Sequence, residues 1–78
     1  MMFRKLTPFP PYDRYTFDWK YHHIIIYVYQ YKPTTVRLSL PHGASLEVRA
    51  DELSGQAKLV NFFGPEVAQE ILTRFLYV

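Results

Sequence analysis

A strict alternation of side-chain types between residues 15 and 31 constrains the fold most. Every odd position in this segment is aromatic, aliphatic or histidine: Tyr15, Phe17, Trp19, Tyr21, His23, Ile25, Tyr27, Tyr29 and Tyr31. The even positions are polar toward both ends and apolar only at Ile24, Ile26 and Val28. A period of two, carried by β-branched and aromatic residues, is typical of β-strands.

One unbroken strand of this length does not fit the chain. At roughly 3.3 Å per residue the segment would span about 56 Å, which is too long for a domain of 78 residues. We therefore expect a bend or turn near residues 19–22 and a central strand from about His23 to Tyr31. Because the middle of that strand is apolar at odd and even positions alike, we expect both of its faces to be covered.

Two further strands are predicted after Pro33. Residues 34–40 and 45–49 again alternate, and a turn cluster with Gly43 separates them. A two-residue loop would pair Leu38 with a charged residue on the apolar face, so an odd-numbered loop is expected. The register then pairs Leu40 with Leu46 and Leu38 with Val48. It also places Arg37 opposite Arg49, a mildly destabilising contact unless an anion lies between them.

The rest of the chain is predicted to be helical. Asp51 is a suitable N-cap for a first helix whose apolar positions are Leu53, Ala57 and Val60. Gly64 can end that helix, and a proline follows to open the next. The second helix carries a wide apolar stripe at helical spacing: Val67, Ala68, Ile71, Leu72, Phe75 and Leu76.

These elements predict an α+β fold with a small antiparallel sheet of three to four strands and two C-terminal helices packed on one face. Residues 1–14, which are rich in proline, are expected to form an extended N-terminal arm. Residues 15–78 are expected to form one domain, with the sheet at 15–50 and the helices at 51–76.

No set of residues predicts catalysis, a metal site or a cofactor. The adjacent His22 and His23 point to opposite faces of a strand, and the chain has no cysteine. We expect His23 to pack on the aromatic face. Asp13 and Asp18 are candidates for an acid–base pair, but in a tyrosine-rich strand region solvation or salt bridging explains them better. The three widely separated glycines do not form a phosphate-binding loop.

Charge is distributed unevenly along the chain, whose net charge is +2. Residues 1–39 contain six Lys or Arg and two Asp, whereas residues 40–78 contain three Lys or Arg and five Asp or Glu. A basic N-terminal half beside an acidic C-terminal half is able to guide an anionic partner to one side. Ordinary surface solvation is the alternative explanation.

The surplus of aromatic residues predicts a non-catalytic protein-binding module. Tyr, Phe and Trp make up 18% of the chain, and exposed tyrosines are enriched at protein interfaces. Small, cysteine-free, aromatic-rich chains are similar in type to accessory proteins of phages and mobile elements, including inhibitors that occupy a surface of a larger host complex. We expect a cytoplasmic location, no membrane contact and a binding set made of Tyr27, Tyr29, Tyr31, Arg37, Arg49 and Lys20.

The alternative function is binding of nucleic acid on a face rich in Tyr, Lys and Arg, since tyrosines stack on bases and cations hold phosphates. Alternation is expected to place most of the tyrosines and the cations on opposite faces, which counts against this alternative. A homodimer is compatible with either function. Its predicted contact is the edge strand beside residues 33–40 or the tyrosine face.

Overall fold

The computed structural model describes residues 1–77 and contains one five-stranded antiparallel sheet, in which neighbouring strands are also consecutive in the sequence. The strands are β1 (Arg4–Lys5), β2 (Tyr12–Trp19), β3 (His22–Tyr29), β4 (Thr35–Ser39) and β5 (Ser45–Arg49). The helices are α1 (Leu53–Phe63) and α2 (Pro65–Ile71), and α2 continues into a π-helical turn at Leu72–Leu76. The predicted α+β class with two C-terminal helices on the sheet is confirmed, with one strand more than expected.

The segment that was expected to be an extended arm belongs to the sheet. Residues 1–14 supply β1 and the start of β2, so the sheet begins at Arg4 and not at residue 15. Between these strands the backbone N–H of Leu6 donates to the carbonyl of Arg14, and Phe9 and Tyr12 exchange two hydrogen bonds. The last position of the predicted domain, residue 78, lies outside the described residues.

A two-residue turn at Lys20 and Tyr21 joins β2 to β3, close to the predicted bend. Trp19 pairs with His22 across this turn, so an odd-numbered residue of β2 always faces an even-numbered residue of β3. Directly paired side chains point to the same side of a sheet. The odd positions of β2 therefore lie on the side of the helices, whereas the odd positions of β3 lie on the other side. The aromatic stripe is divided between the two faces.

The hydrophobic core lies between the sheet and the helices. From the sheet it receives Phe17, Ile24, Ile26, Val36, Leu38 and Val48, and from the helical segment Leu59, Phe63, Ala68, Ile71, Leu72, Phe75 and Leu76. The second helical stripe is thus buried largely as predicted. The expectation that β3 is covered on both faces is wrong, because the helices cover one face and Ile25 lies half-buried on the other.

The predicted register between β4 and β5 is wrong by two residues. Leu38 pairs with Leu46, and Arg37 pairs with Glu47 instead of Arg49. Leu40 leaves the strand, and its N–H donates to the carbonyl of Ala44 across the loop. Both registers keep apolar residues inward, but the observed one replaces a contact between like charges with a contact between opposite charges.

The edge strand that lies beside residues 33–40, one of the two contacts of the dimer hypothesis, is β5. β4 pairs with β3 on one side and with β5 on the other, so its backbone groups are already used. The edges of the sheet are β1 and β5. Within residues 1–77 no helix combines the length and the hydropathy that crossing a membrane requires.

Helix α1 begins later than predicted and buries a different face. The Asp51 carboxylate accepts hydrogen bonds from Arg49 at 3.1 and 3.0 Å and does not cap the helix, whose N-cap is Glu52. Gly55, Leu59 and Phe63 are its buried residues, whereas the predicted core residue Leu53 is 82% exposed. The buried residues Gly55, Leu59 and Phe63 are four positions apart, which places them on one face of a helix as well as the predicted set does. Because Gly55 has no side chain, this end of the helix approaches the sheet closely.

We expect Gly55→Ala to destabilise the protein by up to about 2 kcal/mol, the cost of overpacking less the gain in helix propensity. A β-carbon at this position would lie 2.9 Å from Cγ1 and 3.2 Å from Cα of the buried Val48. Overpacking of this kind costs about 1–3 kcal/mol, which exceeds the roughly 1 kcal/mol that alanine gains over glycine in a helix. Urea denaturation measures the difference. Ser54→Ala, on the exposed side of the same helix, is the control and should be neutral or slightly stabilising; a Gly55→Ala variant more stable than wild type would contradict the close packing.

We expect replacement of Lys20 and Tyr21 by Asn and Gly to stabilise the protein by about 1–2 kcal/mol. Both residues have positive φ, 46° and 65°, in a two-residue hairpin turn that favours Asn-Gly. Left-handed backbone costs ordinary residues about 1–2 kcal/mol each, and the greater entropy that glycine loses on folding offsets part of the gain. Thermal denaturation measures the gain. Tyr21→Ala removes the ring but keeps the left-handed cost, so its melting temperature should stay near that of wild type; an equal rise in both variants would show that turn strain is not the cause.

Candidate binding face of the sheet

The side of the sheet opposite the helices, here called the open face, carries alternate residues of each strand. The strand pairing and the alternation of side chains place the following residues on it: Arg4, Tyr12, Arg14, Thr16, Asp18, His23, Ile25, Tyr27, Tyr29, Thr35, Arg37, Ser39, Ser45, Glu47 and Arg49. All four cations of this set are arginines. The open face is therefore rich in tyrosine and arginine and is left uncovered by the protein's own helices.

Four tyrosines form a continuous cluster at one end of the open face. Ring centroids lie 6.0 Å apart for Tyr12 and Tyr27, and 5.6 Å apart for Tyr12 and Tyr29. Tyr31, just beyond the end of β3, packs against Tyr29 at 5.5 Å and is 61% exposed. Edge-on and tilted packing of this kind holds the rings in fixed positions, so the cluster presents ordered aromatic surface to solvent.

Arginines flank the tyrosines across the strands. Arg14 pairs with Tyr27 on one side, and Arg37 pairs with Tyr27 on the other. The Arg14 Nε donates to the backbone carbonyl of Thr7 at 2.8 Å. The Arg37 side chain is exposed and makes no hydrogen bond or ion pair with any of residues 1–77, although Glu47 is its cross-strand neighbour. Its guanidinium is available to an anionic partner.

This arrangement overturns the expectation that tyrosines and cations lie on opposite faces. That expectation followed the alternation within a single strand. The cations beside Tyr27 come from two other strands, β2 and β4, and the pairing of three strands brings them onto one face. Aromatic rings and positive charge therefore lie side by side.

A depression of about 380 Å³ lies within the open face. Its aromatic wall is formed by Phe9, Tyr12 and Tyr27, and its polar side by Arg37, Ser39 and Ser45. A second depression of about 260 Å³ shares Tyr12 and Arg37 with the first and is further lined by Tyr29, Thr35 and Glu47. Arg37 thus stands between two hollows that follow the direction of the strands.

The structure brings together most of the predicted binding set. Tyr27, Tyr29 and Arg37 are neighbours on the open face, and Tyr31 adjoins them. Arg49 is on the same face but is bound to Asp51 and lies 3.8 Å from Glu52. Lys20 is separate: it lies over the ring of Trp19 at the β2–β3 turn, roughly 17 Å along β3 from Tyr27, the nearest tyrosine of the cluster.

Three residues of the face were missed by sequence reasoning, namely Phe9, Tyr12 and Arg14. They belong to the segment expected to form a separate arm, which in fact folds back along β2. A two-residue turn after Trp19 would have identified two of them, because it pairs Tyr12 with Tyr29 and Arg14 with Tyr27.

The histidines form no metal centre in the described part of the chain. His23, expected to be packed, is exposed, and its Nδ1 contacts the Asp18 carboxylate, since the division of the stripe places it on the open face. His22 lies near His42, with ring centroids 6.3 Å apart. No group of three or more His, Cys, Asp or Glu side chains converges within residues 1–77.

Comparisons of the chain with models of protein families, with curated proteins and with solved structures found no match. Evidence for a function therefore comes from the residues of the open face.

Proposed function

We propose that the protein is a non-catalytic binding module that contacts a larger partner through the open face of its sheet. The observation that supports this most is the contact of four tyrosines with one another beside the unpaired guanidinium of Arg37. Tyrosine and arginine are the residue types that most often contribute the binding energy of an interface. The rings stand on strands backed by a helical layer, so little conformational freedom is lost on binding.

A protein surface is the first candidate partner. In this form the module is an inhibitor or accessory subunit, of the type found in phages and mobile elements, that occupies a surface of a larger complex. The large contact area of the tyrosines supports a protein partner. The arginines of the open face would complement an acidic surface on that partner.

Nucleic acid is the second candidate partner, and one observation favours it specifically. The cross-strand row Arg14, Tyr27 and Arg37 places a cation on each side of an aromatic ring. Proteins that bind single strands combine cations that hold the backbone with rings on which bases stack.

Comparison of two variants by affinity capture tests the proposal. Tyr29→Ala with Tyr31→Ala removes one half-buried and one exposed ring from the open face. Leu53→Ala is the control and removes an exposed apolar side chain from α1, in the helical layer. Wild type and both variants are immobilised, and the bound material from a lysate of the native cell is identified and quantified.

We expect a partner that wild type and Leu53→Ala retain and that the tyrosine double variant loses at least about tenfold, because each interface tyrosine contributes on the order of 1–2 kcal/mol. A partner that is lost with Leu53→Ala and kept by the double variant would place the binding surface on α1 and overturn the proposal.

A further inference from the structure

We infer that the depression beside Arg37 binds one nucleotide of a single-stranded nucleic acid. This inference rests on the proposed function, because it names the partner of the same open face. The aromatic wall of the depression fits the base of a nucleotide, and its unpaired cation and pair of hydroxyls fit the phosphate.

The aromatic wall provides the stacking surface for a base. Phe9 is 56% exposed, and Tyr12 and Tyr27 pack edge to face beside it with centroids 6.0 Å apart. The volume of about 380 Å³ lies within the range of roughly 300–1,000 Å³ that small-molecule sites occupy. Bases stack on rings of this type without regard to sequence, because every base has a π face.

The polar side of the depression provides donors for a phosphate. The planar guanidinium of Arg37 is suited to bidentate contact with phosphate oxygens. Ser39 follows at the next position of β4 on the same face and is paired with Ser45 of β5. Two hydroxyl donors and a cation therefore border the same hollow. Glu47 lines the second depression, so its negative charge favours the phosphate position on the side of the serines.

The path of the aromatic rings favours a strand over a duplex. From the first depression the rings continue through Tyr29 to Tyr31 along the end of β3. Rings on a sheet stack only on bases that are splayed out, and the bases of a duplex are stacked on each other. An acidic protein segment would pair with Arg37 but would leave the aromatic wall without a matching group, so the combined features favour the nucleotide.

Fluorescence anisotropy with the full chain tests the inference. The probe is a labelled oligothymidylate of about 12 nucleotides, within the range of roughly 4–16 that comparable sites cover, at about 50 mM salt. Unlabelled competitors are thymidine monophosphate, a duplex of the same length and heparin, a polyanion without aromatic groups. The variants are Tyr27→Ala, Tyr27→Phe and Arg37→Ala, with Lys58→Ala on the exposed side of α1 as the control for lost charge.

We expect the oligonucleotide to bind and Tyr27→Ala to weaken binding by about 10- to 100-fold, while Tyr27→Phe keeps the ring and stays close to wild type. Arg37→Ala should weaken binding and reduce the slope of log affinity against log salt by about 0.7, the value for one phosphate of a single strand. Lys58→Ala should change the affinity little. If Tyr27→Ala does not fold, Phe9→Ala tests the same wall from an exposed position.

Several results would overturn the inference. Heparin competing as well as the oligonucleotide, with no effect of Tyr27→Ala or Phe9→Ala, would show electrostatic attraction alone. A duplex binding equally well would exclude stacking on splayed bases, and the free monophosphate binding as tightly as the oligonucleotide would identify a free nucleotide as the ligand. If the oligonucleotide does not bind, but a protein is captured that the double variant of Tyr29 and Tyr31 loses, the nucleotide inference is wrong and the proposed function holds. If the oligonucleotide does not bind and no such protein is captured, both the nucleotide inference and the proposed function are wrong.

Discussion

Replacing Phe17 by alanine is expected to lower the free energy of unfolding by about 3–5 kcal/mol. Phe17 is 1% exposed, and its ring lies 5.3 Å from that of Phe3 and 5.8 Å from that of Phe63. It therefore connects the N-terminal segment, the sheet and α1. A chain of this length has a total stability of roughly 4–12 kcal/mol, so the substitution removes a large part of it. Urea denaturation followed by circular dichroism measures the loss.

Tyr31→Ala is the matched control for Phe17→Ala. Both residues belong to the same run of odd-numbered aromatic positions, but Tyr31 lies outside the core at the open face. Its loss should change the stability by no more than about 0.5 kcal/mol. Equal destabilisation by the two substitutions would show that the aromatic run is not divided between a buried and an open face.

Reversing the charge of Arg37 is expected to have the largest effect on binding. Arg37→Glu removes a guanidinium that has no partner within residues 1–77 and puts a carboxylate between the two depressions. A hydrogen bond to a charged group contributes about 1.5–3 kcal/mol, and like-charge repulsion adds to its loss. We expect the affinity for an anionic partner to fall at least about 100-fold at low salt, as measured by anisotropy or calorimetry.

Lys58→Glu is the control for Arg37→Glu, because it changes the net charge by the same amount at an exposed position of α1. Screening limits the influence of a charge on the far side of the domain to a Debye length of about 10 Å at 0.1 M salt, so its effect should be small. Comparable losses for the two variants would indicate that net charge alone governs binding. Thermal denaturation of both checks that the fold is retained.

The parts of the fold that were correctly predicted are those governed by local periodicity. The alternation from Tyr15 onward identified β2 and β3, and the apolar stripe from Val67 to Leu76 identified the second helix with its buried side. In these segments the burial pattern and the local pattern agree, since one face packs on the core and the other meets solvent.

The parts that were not predicted depend on contacts between distant residues. Nothing in the sequence marks Lys20 and Tyr21 as a two-residue turn, because a turn of this type favours Asn-Gly. The buried face of α1 follows from the close approach of Gly55 to Val48, which no periodicity reports. The wrong register of β4 and β5 arose because two alternatives bury equally apolar residues, and the pairing of Arg37 with Glu47 distinguishes them.

The candidate binding site was predicted in part for the same reason. Tyr27, Tyr29, Tyr31 and Arg37 were identified because surplus aromatic and basic residues are visible in the sequence. Their proximity to Tyr12 and Arg14 was not, since it requires the pairing of β2 with β3. The site is a property of the assembled sheet and not of any one strand.

The number of residues in the β2–β3 turn is more tightly constrained in evolution than the identity of those residues. Substitutions at Lys20 and Tyr21 by residues that accept positive φ leave the pairing of Trp19 with His22 intact. A single inserted or deleted residue would exchange the isoleucines of β3 with its tyrosines, carrying hydroxyls into the interior and aliphatic groups into water. Homologues should therefore keep the number of residues in the hairpin unchanged, while the two turn residues vary among types that accept positive φ.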